Sequence, residues 1–69
     1  MPLTLLKPGE GSIITRISGK SETRLFLEKL GFVVGTPVTV VNAIAGNIIV
    51  VVKDTRVAIS KEMAMNIHV

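Results

Sequence analysis

Hydrophobic and polar positions change period repeatedly along the chain, and each change marks a predicted element. From Ser12 to Ser18 the β-branched run Ile13-Ile14-Thr15-Arg16-Ile17 predicts a strand, ended by Ser18-Gly19. From Lys20 to Leu30 the spacing becomes helical, with Thr23, Phe26, Leu27 and Leu30 on one face at three- and four-residue steps. Ser21 is the predicted N-cap, and Glu22 sits against the positive end of the helix dipole. Gly31 stands where a helix ends in a left-handed residue, and Phe32 beyond it is expected to fold back onto the last turn. Leu25 lies off the apolar face.

After the helix the period returns to two. Val33-Val34-Gly35-Thr36-Pro37 reads as a turn and Val38 to Ala45 as a strand. Val38 and Val40 share one parity, whereas Val41, Ala43 and Ala45 take the other, which predicts a bulge near Val40 to Asn42. Gly46-Asn47 is the expected hairpin loop, Ile48 to Lys53 the second arm, and Asp54-Thr55 the next turn. Arg56 to Ser60 follows with Val57 and Ile59 facing in. Lys61 to Asn66 is a helical turn carrying Met63, Ala64 and Met65, and Ile67 to Val69 a last strand. Ahead of all this, Pro8-Gly9 marks a turn, and Leu3, Leu5 and Leu6 are expected to be pinned on the core.

The predicted fold is mainly β: a small barrel of about five strands, with one short helix after the first strand and a C-terminal helical turn. Closure would remove sheet edges that an apolar chain finds hazardous. With 69 residues the chain forms one domain, residues 1–69. Area scaling gives such a chain roughly 4,200 Å² of exposed surface, a marginal core that leaves apolar side chains outside. The aliphatic run Ile48 to Val52 makes weak self-association at an exposed edge an expectation.

Composition narrows the chemistry. Cysteine is absent, which removes disulfides and thiol catalysis; there are two Phe, with no Trp or Tyr. Eight Lys and Arg against five acids give +3, scattered rather than clustered. A stacking platform for single-stranded nucleic acid is missing, so no nucleic-acid partner is expected. No apolar run approaches the twenty or so residues that span a bilayer, and no secretory leader is visible, so a cytoplasmic location is expected.

Gly9-Glu10-Gly11 precedes a strand and opens no helix, so it is a turn rather than a phosphate loop. His68, the one histidine, reads as a solvated strand residue between inward Ile67 and Val69. A Ser–His–Asp set would have to combine His68 with Asp54 and a serine, and the acids Glu10, Glu22, Glu28, Asp54 and Glu62 read as solvated surface. The expected protein is not an enzyme. Met63 and Met65 read as core or patch packing, and a weak divalent-ion site using His68 and a carboxylate is the metal alternative the residues leave open.

Certain segments, in this order and spacing, resemble the FeoA family. They are Leu3-Thr4-Leu5-Leu6 with Pro8-Gly9 and Gly11, Ile14 and Ile17-Ser18-Gly19, Leu27-Glu28-Lys29-Leu30-Gly31-Phe32, Gly35-Thr36-Pro37-Val38-Thr39-Val40, Gly46-Asn47-Ile48, and Ile59-Ser60 with Ala64 and Ile67-His68-Val69. The resemblance implies an SH3-like β-barrel with an inserted helix and a cytosolic accessory role in bacterial ferrous iron transport. It also implies association with the membrane GTPase transporter FeoB and transition-metal binding, although no metal ligand carries over. A similar barrel ends the iron-dependent repressors, so a stand-alone metal-sensing regulatory barrel is the alternative. Physical reasoning supplies a partner-binding patch: Arg24, Leu25 and Lys29 on the outer helix face, with Val33 and Val34 in the turn that follows. The competing expectation is that Leu25 packs against the leading leucines.

Overall fold

A 3₁₀ turn, Leu3–Leu5, opens the computed structural model, which describes residues 1–69. It drops Leu3 into the core. Leu6 packs partly against that core and Leu5 is exposed, so two of the three leucines are pinned. Six strands follow: β1 (Gly11–Ile13), β2 (Arg16–Ile17), β3 (Pro37–Ile44), β4 (Asn47–Val52), β5 (Thr55–Ser60) and β6 (Ile67–His68). Helix α1 (Ser21–Lys29) follows β2, and the helical turn α2 (Lys61–Ala64) separates β5 from β6.

Pairing is antiparallel and divides the strands into a four-stranded sheet, β1-β3-β4-β5, and a two-stranded sheet, β2-β6. The expected five-strand barrel is thus six strands in two sheets, and the hydrogen-bonded ladder does not close on itself. The single strand predicted over Ser12–Ser18 is split at a corner. Buried Ile14 bonds through its backbone to the turn before β3 (N to Thr36 O 3.0 Å, O from Gly35 N 2.8 Å), whereas Thr15 N turns to His68 O at 2.8 Å. Neighbouring peptide groups thus serve different sheets, which is how one β-branched run contributes to both.

The exposed surface, 4256 Å², matches the area-scaling expectation, so the chain has no extended arm. Cross-strand pairs build the core: Val38 faces Val52, Val40 faces Val50, and Ile48 faces Ile59. The bulge falls where expected. Val40 pairs with Val50 but Asn42 with Ile49, so Val41 is the extra residue. Without it Asn42 would share the buried parity of Val40; with it the amide stays outside, bonding Ala43 N at 2.8 Å.

Both hairpin loops sit one residue earlier than predicted. Their central residues are Ala45-Gly46 and Lys53-Asp54, all four at positive φ, because a primed turn needs the left-handed conformation twice. β4 lies between β3 and β5, so Ile48 to Val52 is paired on both sides and offers no edge for self-association. Met63 packs against the core, whereas Met65 is exposed.

Helix α1 begins one residue earlier than predicted. Lys20 occupies the N-cap position without a side-chain cap, and Ser21 is the first helical residue. At about 100° per residue, Thr23, Leu27 and Leu30 define the inward face and Phe26 falls at its edge. Phe26 is accordingly 48% exposed, against the expectation that it joins the core. The C-terminus closes as predicted: Gly31 N bonds Glu28 O and Phe32 N bonds Leu27 O, both at 3.0 Å, with Gly31 at φ 108°. Phe32 is buried. A Cβ at Gly31 would have ordinary contacts with Val52 and Lys53 side chains, so backbone strain alone penalises a substitution there. Gly31→Ala is expected to lose about 1–2 kcal/mol of stability in urea unfolding, with the folded spectrum retained.

Candidate functional site

Beside α1 the corner between the two sheets leaves a groove of about 530 Å³. Its apolar lining includes Ile17 of β2, Leu25 of α1, and Phe32, Val33 and Val34 of the turn after the helix. Charged side chains complete it: Arg16 of β2, with Arg24 and Glu28 of α1. The helix contributes Arg24, Leu25 and Glu28 because Glu28 follows each of the other two by about one turn, on the face that flanks the buried one.

Four of the five predicted patch residues, Arg24, Leu25, Val33 and Val34, come together on this groove. Lys29 does not line it. The helical step rotates Lys29 well off the line through Arg24 and Glu28. Leu25 is 57% and Val34 58% exposed, so Leu25 is not packed under the leading leucines. Arg16, Ile17 and Glu28 were not anticipated. Their presence depends on the strand break at Ile14-Thr15, which the continuous β-branched run conceals.

Arg16 links the groove to His68. Its guanidinium NH2 lies 3.4 Å from His68 Nε2, and Ser18 Oγ lies 3.0 Å from the same nitrogen. Guanidinium only donates, so the Arg16 contact calls for a lone pair at Nε2. Ser18 Oγ is also 3.3 Å from Asn66 O. His68 is therefore a half-buried, hydrogen-bonded residue rather than a solvated one. Partial burial, then the Arg16 charge and the N-terminal ammonium, push its imidazole below the usual histidine value.

No carboxylate hydrogen-bonds to the Ser18 or His68 side chain, and no three His, Asp or Glu side chains cluster. A cation at Nε2 would face the Arg16 charge, so this donor set does not fit a resident metal ion. No helix is long and apolar enough to cross a membrane.

The inserted helix, short antiparallel strands and C-terminal helical turn define a small SH3-like β domain with an open, basic-rimmed groove. The chain belongs to the FeoA family: the FeoA domain model matches residues 1–69. It is similar to the crystal structure of an iron uptake regulatory protein (FeoA), with TM-score 0.88 and 32% identity over 96% of this chain and 88% of that one. The solution structure of FeoA from Chlorobium tepidum shares the fold at TM-score 0.90 and 24% identity, covering 99% of this chain and 67% of that one. A manganese-dependent transcriptional repressor contains the same fold within a longer chain, at TM-score 0.87 and 20% identity over 97% of this chain and 39% of the repressor. No curated protein matches by sequence.

Because a depressed histidine pKa disfavours the protonated folded state, the His68 contribution is full above about pH 6.5 and is lost as pH falls through the folded value. Arg16→Gln removes one cause and leaves partial burial. The His68 ring titration followed by NMR is expected to move up in this variant, stopping short of the ordinary value.

Proposed function

We propose that this chain is a small, non-catalytic accessory of a bacterial ferrous iron transport system. It acts from the cytosolic side by docking the groove beside α1 onto the GTPase portion of the membrane transporter FeoB. Membership of the FeoA family supports the iron-transport context. The observation that carries the docking is the groove itself, where Leu25 and Val34 are each more than half exposed and Arg16 and Arg24 also line the wall. An exposed apolar floor with a charged rim suits protein recognition, since apolar burial supplies affinity and the rim supplies orientation and encounter rate.

An NMR titration of the labelled chain with the cytosolic GTPase region of the cognate transporter tests the reading. Shifts centred on Arg24 to Val34 are expected. Leu25→Asp is expected to stay folded within about 0.5 kcal/mol, because the side chain is exposed. It is expected to weaken the complex at least about tenfold by placing a charge in the apolar contact. Unchanged affinity in this folded variant would remove α1 from the interface. Shifts confined to Met63–His68 with Fe²⁺ or Zn²⁺, and none with the GTPase region, would favour a metal-sensing module.

A further inference from the structure

We propose that the groove reads a short acidic and apolar segment of a partner protein, seating an apolar side chain on Leu25, Val33 and Val34 while Arg16 and Arg24 hold a carboxylate beside it. The inference rests on the docking reading above and adds the chemistry of what docks. Two guanidinium groups face the groove against the single carboxylate of Glu28, so its rim complements negative charge. Arg16 turns one edge to His68 at 3.4 Å, and a guanidinium carries five N–H donors, so a fork toward a carboxylate remains. The half-exposed Leu25 and Val34 supply the apolar seat next to it.

The same contact makes His68 a reporter of occupancy. The charged groups facing its ring are Arg16 and the N-terminal ammonium; Ser18 presents a neutral hydroxyl. A carboxylate on Arg16 offsets part of that repulsion, so His68 binds its proton more readily in the complex. By linkage, binding is accompanied by proton uptake, and affinity rises as pH falls through the titration range of His68.

The test uses the full chain, with methyl and ring labels, and two pools of capped hexapeptides. One pool combines Leu, Ile, Val and Phe with a single Asp or Glu; the other replaces the acid with Asn or Gln. The acidic pool is expected to shift the Leu25, Val33 and Val34 methyls, to bind about tenfold or more tightly than the amide pool, and to raise the His68 midpoint. Arg16→Gln, still folded, is expected to lose at least half of the logarithmic preference for the acidic pool and the His68 response to it. Equal binding of the two pools, or no saturable shift with either at millimolar concentration, overturns the proposal. So does a shift of the same methyls on diluting the chain alone, which would give the groove to a second copy. If the GTPase region binds wild type and Arg16→Gln equally, docking stands and the carboxylate reading falls. Acidic-pool preference without any response to the GTPase region does the reverse.

Discussion

The placement of Phe32 is the constraint on which the rest of the structure depends. It is the one aromatic side chain in a core otherwise made of aliphatic residues. Nothing of comparable size is available to replace it, since the only other aromatic, Phe26, is half exposed. Phe32 reaches the core because Gly31 takes a left-handed turn just after α1, and the backbone N–H groups of both residues return to the last helical turn. The helix is thereby fixed to the β structure at its C-terminal end, where Leu27 is also buried. A nine-residue helix would be marginal by itself, so this anchoring rather than intrinsic propensity holds it.

That closure also creates the groove. Once Gly31 reverses the chain, Val33 and Val34 pass beside the outer face of α1, and Phe32 contributes to the groove wall as well as to the core. The opposite wall comes from β2, which is present because the chain turns its corner at Ile14. Core and candidate site therefore share a residue and cannot vary independently. Rim side chains such as Arg24, Leu25 and Val34 can vary without disturbing packing, and this is where recognition could diverge among domains sharing the scaffold.

Local chemistry made several features legible in the sequence. Gly31-Phe32 wrote the end of the helix, and the parity change from Val40 to Val41 wrote the bulge. Arg24, Leu25, Val33 and Val34 were legible as a patch because they were apolar or basic positions left over after the core was assigned. What sequence spacing could not reveal depended on the third dimension. Arg16 and His68 are brought together by pairing strands at opposite ends of the chain, and Ser18 reaches the same ring nitrogen by that route. Phe26 was misplaced for a different reason: in a helix with a narrow buried face, a residue near its edge satisfies the same spacing as one within it. The hairpin loops slipped by one residue because Ala45 and Lys53 adopt positive φ without being glycine, held there by the register of the flanking strands.

The groove combines features that would be poorly matched in a monomer selected for stability alone. Leu25 and Val34 expose apolar area in a chain whose core is already marginal for its length, and moving them inside would require enlarging that core. His68 stands near both Arg16 and the N-terminal ammonium, an arrangement that disfavours a proton on the ring. Neither feature contributes to the packing described above. Both acquire a physical rationale if an external group covers the apolar floor and brings negative charge to the rim, since one event then removes apolar surface from water and offsets the local positive potential. On that argument the groove is one recognition unit, with its apolar and electrostatic parts satisfied by the same segment.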